Sequence, residues 1–302
     1  MSNIIQQYKE LGERWARGEV DFDEKLTIGD KEWTLTPTQL KFLNARERYV
    51  LASGGIASGK TSAFLIKLIL LSVCFPGNRL LLGRKTRTNV ESSLLPDFFD
   101  ICPPSWVEYK VGPGIIKFFN GSEILIKGLD MLQSGTESDL KKAVAEVRGL
   151  NLGGVFIDQL EEIEQKVVEV VGDRMRRNLG FQQFNATTNP ANYWGSDYFI
   201  ANPRPNTKSI VFNPMENKVN LPEAFIQDRL QMGETYVRKM IYGEWTPELM
   251  ASGGAVFPGN LIGEQRQFWQ KEPVRELDGI KIFEETGIYT YQIGVDPSEG
   301  IS

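Results

Sequence analysis

The chain has 302 residues, of which 41% are hydrophobic and 24% are charged, and its formal net charge is −5. This composition is typical of a soluble globular protein with room for one large α/β domain or two smaller ones. The sequence contains no histidine, which excludes Ser-His-Asp and Cys-His catalysis and leaves chemistry based on carboxylates, lysine, arginine and Mg²⁺.

Several sequence features indicate the cellular compartment of the protein. Two cysteines, Cys74 and Cys102, are too few for a disulfide framework. The longest apolar stretch, residues 63–75, is interrupted by Lys67 and is too short to span a bilayer. The first residues lack the design of a signal peptide. We therefore expect a cytoplasmic protein without a membrane partner, in which local basic patches hold any nucleic acid.

The N-terminal segment, residues 1–33, carries apolar residues at helical spacing and is expected to form a helical arm for packing or assembly. After it, Thr36 can cap a helix that begins at Pro37. Gln39 lies in the first turn of that helix, and its amide could read the edge of an adenine because it both donates and accepts. The alternative is an exposed residue in the first helical turn.

A phosphate-binding motif follows. A short apolar strand, residues 49–52, leads into a segment that fits G-x-x-x-x-G-K-[ST], and a long apolar helical pattern comes next. The glycines let backbone N–H groups point at nucleotide phosphates at a helix N-terminus. Lys60 would reach the β- and γ-phosphates, and the Thr61 hydroxyl would ligate Mg²⁺. The predicted nucleotide-binding residues are Gly54, Gly55, Ile56, Ala57, Ser58, Gly59, Lys60, Thr61 and Ser62.

A second buried strand, residues 79–82, ends in a cluster of cations at residues 83–87. A parallel strand would deliver this cluster to the ligand edge of the sheet. Arg84 is the cation that we expect to face phosphate or DNA, and a solvated basic face is the alternative. Farther along, Asn120-Gly121 between two apolar runs predicts a β-hairpin.

A third apolar strand, residues 154–157, ends in acidic residues. Asp158 at its tip can hold Mg²⁺ opposite the phosphate loop. The next residue is Gln159, which can orient a water molecule but cannot take its proton. The water-activating carboxylate therefore stays open between Glu161 and Glu162, of which we favour Glu161.

The next strand, residues 181–186, runs into Thr187, Thr188 and Asn189 before a proline. These small polar side chains could sense the γ-phosphate, or they could cap a turn. Strands near residues 50, 80, 155 and 184 alternate with helical stretches. This alternation predicts a mostly parallel sheet with helices on both faces.

The composition changes after Trp245. Residues 246–285 are rich in glycine and proline turns and are predicted to form a linker or irregular connection. A new strand, residues 289–295, ends in Asp296. It is either the opening of a further domain in residues 286–302 or a final edge strand of the first domain.

Taken together, the ordered motifs resemble the large terminase subunit of tailed bacteriophages, the ATPase motor that packages double-stranded DNA. The phosphate loop alone is shared by many ATPases, whereas the set that includes TTNP and the GRKT strand end is specific. The resemblance runs from about Leu35 to the end of the chain and rests on LTPTQ (35–39), GGIASGKT (54–61), GRKTRTNVESS (83–93), FNGSEILIKGL (119–129), VFIDQLEE (155–162), TTNPANYW (187–194) and YGEW (242–245).

The resemblance implies a P-loop NTPase domain over residues 34–245, of the additional-strand-catalytic-glutamate type. It implies hydrolysis of ATP with Mg²⁺ to translocate double-stranded DNA into a prohead in the host cytoplasm. The implied partners are the portal protein, the small terminase subunit and further copies of the chain in a ring, expected to be a pentamer. By resemblance, Gln39 lies in an adenine-recognition motif, and Thr187, Thr188 and Asn189 form a coupling motif that links phosphate release to domain movement. Gln159 departs from the family, which usually has glutamate there.

Two more residues are assigned by resemblance. Arg148, ten residues before Asp158, matches an arginine that reaches into a neighbouring subunit's nucleotide and neutralises charge on the γ-phosphoryl group. Arg84 is a second candidate for that role, and a helix C-terminal arginine is the alternative for Arg148. Residues 286–302 resemble the start of a ribonuclease-H-like nuclease domain with Asp296 as its first metal carboxylate. The other acidic residues of such a site are absent from this sequence, so we predict no nuclease activity.

Two other functions remain open at this point. A nucleotide-binding switch without efficient turnover would fit a glutamine at position 159. A nucleic-acid helicase would also use the same phosphate loop. ATP turnover separates the switch from an ATPase, and strand displacement separates a helicase from a packaging motor.

Overall fold

The computed structural model describes residues 2–129, 147 and 149–245, and the backbone of residues 275–277, 280–282, 284–285 and 288–289. The chain divides after Trp245 into two compact units. The second unit contains two antiparallel strand pairs, Arg275–Leu277 with Ile280–Ile282 and Glu284–Glu285 with Ile288–Tyr289, so the predicted irregular connection has regular strands near its end. Residues 290–295 of the predicted last strand, and Asp296, lie outside the described residues.

The N-terminal segment is only partly helical. Helix α1 spans Ser2–Ala16, after which β1 (Lys25–Ile28) and β2 (Lys31–Thr34) form an antiparallel hairpin. The prediction of a helical arm over residues 1–33 is therefore wrong for its second half. Trp15 of α1 is fully buried, and a Cβ at Gly12 would lie 2.5 Å from the Cys74 carbonyl oxygen. The segment is thus part of the domain core and not a free arm.

Helix α2 (Pro37–Leu43) begins where the sequence predicts. Thr36 Oγ1 accepts a hydrogen bond from Gln39 N (3.3 Å), and Gln39 Oε1 accepts one from Thr36 N (2.9 Å). This reciprocal pair is a capping box, which satisfies two backbone donors of the first turn. Strand β3 (Tyr49–Gly54) and helix α3 (Lys60–Cys74) follow, and α3 is buried from Ala63 to its end.

One sheet of eight strands organises the first unit. Its order is β10-β3-β9-β8-β4-β7-β6-β5, and the six strands from β10 to β7 are parallel while β6 and β5 are antiparallel. The prediction of a mostly parallel sheet is confirmed, as is the hairpin at Asn120-Gly121 between β6 and β7. The strands besides β3 are β4 (Arg79–Arg84), β5 (Val107–Lys110), β6 (Ile115–Phe118), β7 (Glu123–Gly128), β8 (Gly154–Ile157), β9 (Gln183–Thr188) and β10 (Thr207–Phe212).

Helices cover both faces of the sheet. On one face α1, α2, α3 and α4 (Leu95–Ile101) pack against the strands and enclose one hydrophobic core. Short helical turns over residues 87–94 precede α4. On the other face α5 (Gln165–Gly172) buries Val167, Val168 and Val171. The helix ends at Gly172, after which the chain turns and Met175 bridges to Leu152. Helix α6 (Glu223–Leu230) follows β10.

Two further expectations can be compared with the structure. Cys74 and Cys102 are both free and buried, and burial raises the pKa of each thiol to about 12. Among the residues that the structure describes, no helix combines the length and the apolar character needed to cross a membrane.

Candidate active site

The phosphate loop joins β3 to α3 in a conformation that depends on glycine. Gly54 and Gly59 have positive φ angles of 146° and 81°, which L side chains rarely adopt. A Cβ at Gly55 would lie 1.6 Å from the Met240 carbonyl oxygen, so no larger residue fits there. Ser58 Oγ donates to Gly55 O at 2.9 Å and closes the turn. The loop is therefore fixed before any nucleotide binds.

Two side chains from distant elements hold the carbonyl groups of this loop. Gln39 Nε2 donates to Gly59 O at 3.1 Å, and Asn217 Nδ2 donates to Ala57 O at 2.8 Å. Gln39 is 6% exposed, so the alternative of an exposed first-turn residue is wrong. The side chain of Gln39 thus links the start of α2 to the phosphate loop. Contact with adenine stays a prediction.

A segment after α6 also packs against the loop. Ile56 N donates to Met240 O at 3.1 Å, and Trp245 Nε1 donates to Ser53 Oγ at 2.5 Å. Gly243 has a φ of 66°, and a Cβ there would lie 3.0 Å from Gly54 Cα. The YGEW motif is therefore explained by close packing of residues 240–245 onto the strand and loop that carry the glycines.

Lys60 lies within the curve of the loop. Its Nζ donates to Gly54 O (2.7 Å) and Gly55 O (2.5 Å) and lies 3.4 Å from Asn189 Oδ1. Burial lowers the pKa of Lys60 to about 8, although the carboxylates of Glu161 and Asp158 oppose this effect. The amine is therefore still mostly protonated at pH 7 and presents a positive charge to the loop.

Asp158 follows β8 and is 6% exposed. Its Oδ1 accepts a hydrogen bond from Thr187 Oγ1 at 2.5 Å, and Thr187 Oγ1 in turn accepts one from Gln159 N at 3.2 Å. The tips of β8 and β9 are thereby joined through one hydroxyl. Because β9 lies between β3 and β8, this hydroxyl stands between the glycine loop and the acidic strand.

Arg84, at the end of β4, points toward the residues at the tip of β8. Its Nε lies 3.5 Å from Asp158 Oδ2 and donates to Gln159 Oε1 at 3.0 Å; Nη2 also donates to Gln159 Oε1. Its Nη1 donates to Ser93 Oγ at 2.6 Å. The Arg84 side chain is only 15% exposed, so it does not belong to a solvated basic face.

The two glutamates after Gln159 differ in position. Glu161 Oε1 accepts hydrogen bonds from Asn189 N (3.2 Å) and Asn189 Nδ2 (2.9 Å), while its buried Oε2 has no hydrogen-bond partner among the described residues. Burial raises the pKa of Glu161. Glu162 is exposed. Glu161 is therefore the carboxylate that the fold directs toward Lys60 and Asn189.

Comparison with known proteins gives a consistent result for the fold. No family model and no curated protein matches the sequence. The large terminase of a thermophilic bacteriophage superposes with a TM-score of 0.58 at 17% identity, over 70% of this chain and 54% of that chain. The same terminase in complex with ATP-gamma-S gives 0.54 at 16% identity, over 70% and 53%. The ATPase domain of the Thermus phage P74-26 large terminase gives 0.52 at 14%, over 71% and 95%.

The chain has the fold of the large-terminase ATPase domain. It spans about half the length of the first of these terminases and nearly the whole P74-26 ATPase domain. This confirms the predicted P-loop NTPase fold, in which an additional strand, β9, separates the glycine-loop strand from the Asp158 strand. At these identities the likeness establishes the fold, and the roles of individual residues rest on the geometry of the site.

In this fold, nine of the predicted site residues line one cleft of about 280 Å³. Asp158 and Thr61 bring a carboxylate and a hydroxyl to it, and oxygen donors of this kind suit Mg²⁺. Among the described residues no group of three or more acidic or cysteine side chains could enclose a metal. The cleft is lined by Ile56, Ala57, Lys60, Thr61, Arg84, Ser93, Leu94, Asp97, Asp158, Gln159, Thr187, Thr188 and Asn189.

Thr188 lines the cleft and is also bonded to its neighbours: its Oγ1 donates to Asn189 O at 2.9 Å and accepts from Tyr193 OH at 3.1 Å. Ser62 is exposed in the first turn of α3. Arg148 lies outside the described residues, and its role in a neighbouring subunit stays a prediction. Sequence reasoning missed Asn217 and Met240 because nothing local marks them as neighbours of the phosphate loop.

Proposed function

We propose that this chain is the ATPase domain of a DNA-packaging motor of the large-terminase type. The observation that supports it most is the convergence of Lys60, Thr61 and Asp158 on one cleft at the carboxyl ends of β3 and β8. In open α/β sheets this edge is where ligands bind. The backbone N–H groups at the start of α3 and the Lys60 amine would hold the phosphates of ATP.

The site residues suggest roles in Mg²⁺ binding, in proton transfer and in sensing the γ-phosphate. Thr61 and Asp158 would hold Mg²⁺, which when bound would neutralise charge on the β- and γ-phosphates. Glu161 would take a proton from the attacking water, since its Oε2 is unpaired and burial favours its proton-bound form. Asn189 contacts both Glu161 and Lys60, so it would report the state of the γ-phosphate to the strand tip.

The assembly is part of the same proposal. An arginine from a neighbouring copy, Arg148, would complete the charge stabilisation, and hydrolysis would speed up in a ring at the portal. Double-stranded DNA would be held by its phosphates, with steep salt dependence and no sequence preference. The small terminase subunit is the remaining partner.

ATP binding tests the site directly. Lys60→Ala is expected to weaken ATP affinity by about 100-fold, because a buried charge-assisted contact to phosphate is lost. Titration with a fluorescent ATP analogue in the presence of Mg²⁺ measures this affinity. Lys166→Ala on the exposed face of α5 is the matched control and is expected to leave the affinity unchanged. Equal affinities of wild type and Lys60→Ala would contradict the proposed site.

The motor is tested by ATP-dependent protection of DNA inside empty proheads, with the full-length subunit and its Lys60→Ala variant. Protection by the wild type alone is the expected result. ATP binding without turnover would instead indicate a switch, and unwinding of a strand-displacement substrate would indicate a helicase.

A further inference from the structure

The guanidinium group of Arg84 occupies a defined position beside Asp158. Among the residues that the structure describes, it contacts one charged group, the Asp158 carboxylate at 3.5 Å, and two neutral acceptors, Gln159 Oε1 and Ser93 Oγ. Ser93 Oγ also donates to Asn89 O at 2.6 Å, so its orientation is fixed. The guanidinium group is therefore held in place mainly by neutral oxygens at the wall of the cleft.

We propose that Gln159 is a positioning residue that holds Arg84 beside Asp158 until ATP binds, and that Arg84 then moves to the phosphates. The inference rests on the proposed function and names a regulatory step of the same site.

The first reason is competition for one carboxylate. Asp158 Oδ1 is already bonded to Thr187, so Oδ2 is the oxygen that Arg84 neutralises. The same carboxylate is the proposed Mg²⁺ ligand, and two cations beside one carboxylate repel each other. Binding of ATP with its cation therefore weakens the hold of Asp158 on Arg84, while the phosphates offer a stronger bidentate partner.

The second reason is the neutral amide of Gln159. A carboxylate attracts a guanidinium by its full negative charge in addition to accepting its hydrogen bonds, whereas a neutral amide oxygen offers the hydrogen bonds alone. A glutamate at position 159 would contact the Nε and Nη2 groups that now donate to the amide oxygen. It would hold Arg84 against the wall of the cleft and oppose its transfer to phosphate. The glutamine keeps Arg84 in place and still releases it.

Gln159→Glu is the variant that tests this arrangement. We expect ATP affinity to fall by about tenfold and turnover to decrease, because the tighter pair must break first. Without nucleotide, the melting temperature is expected to rise by about 2 °C or more. Gln165→Glu adds the same charge at an exposed position in α5, where the side chain contacts Glu169, and is expected to leave ATP affinity unchanged.

A double-variant cycle shows whether the effect runs through Arg84. In an Arg84→Gln background, Gln159→Glu is expected to change ATP affinity by less than about threefold, since the pair no longer exists. An unchanged affinity or a faster turnover in the single variant would overturn the inference. If the wild type itself fails to bind ATP, the proposed function falls, and this inference with it. If Lys60→Ala weakens binding but Gln159→Glu does not, only the inference falls.

Discussion

Replacing Glu161 with glutamine is expected to lower the rate of ATP turnover by about 10²- to 10⁴-fold, the contribution of a positioned general base. The substitution keeps the shape of the side chain, so Oε1 can still accept from Asn189. It removes the basicity that the buried, unpaired Oε2 provides. Since Glu161 makes no contact with the glycine loop in the hydrogen-bond network of the site, ATP affinity is expected to stay within about threefold of wild type.

Single-turnover hydrolysis and ATP-analogue titration separate these two effects. Glu162→Gln is the matched control, because it removes the neighbouring charge from an exposed position and is expected to retain turnover. The pH profile gives a second readout. A base is active only when deprotonated, and burial raises the pKa of Glu161, so the wild-type rate is expected to fall with decreasing pH before an ordinary glutamate would protonate. Loss of turnover in Glu162→Gln alone would reverse the assignment.

Local patterns predicted the parts of the fold that local physics determines. The capping box at Thr36 and Gln39, the glycine loop and the acidic end of β8 each lie within a few residues. Several elements carry no clear local signal, among them the β1–β2 hairpin and strand β10. The β1–β2 hairpin is rich in charged residues that hide its alternation, and it turns at Gly29. Strand β10 is an edge strand in which only Ile210 and Phe212 are buried, so it lacks the continuous apolar run of the inner strands.

The chemistry-bearing residues were predictable, but their partners were not. Arg84 and Gln159 are 75 positions apart, and Asn217 and Ala57 are 160 apart. Only the sheet order, which places β8 next to β4, brings the first pair together. The choice between Glu161 and Glu162 depends on a left-handed residue at Gln159 and the 3₁₀ turn after it. No sequence pattern predicts the left-handed conformation of Gln159, because glutamine rarely adopts it.

A buried lysine joins the helices on the face of the sheet that carries α3. Lys67 Nζ donates to Phe42 O and Ala45 O, both at 2.8 Å, at the end of α2. It lies 4.8 Å from the centre of the Phe42 ring and 5.9 Å from that of Trp15. The amine therefore ties α3 to the carbonyl end of the helix that presents Gln39 to the phosphate loop, and its loss is expected to affect stability before it affects nucleotide binding.

The stability that Lys67 confers is expected to increase with pH. Burial lowers the pKa of Lys67 well below 10.5; Arg46 acts in the same direction and Glu47 opposes it. Between the lowered pKa and the ordinary lysine value of about 10.4, the unfolded chain binds a proton that the folded chain does not. The free energy of unfolding therefore rises with pH in this window, by up to about 1.4 kcal/mol per pH unit, and becomes level above the unfolded pKa.

Urea unfolding of wild type and Lys67→Met at pH 8, 9 and 10 measures this term, because other titrating groups cancel in the difference between the two proteins. The wild-type free energy of unfolding minus that of the variant is expected to grow with pH. Lys41→Met removes an exposed lysine from α2. For this control, the wild-type free energy of unfolding minus that of the variant is expected to stay constant with pH. A wild-type advantage that stays constant or shrinks between pH 8 and pH 10 would mean that the folded protein keeps the Lys67 ammonium, held by the two carbonyl groups and the aromatic rings.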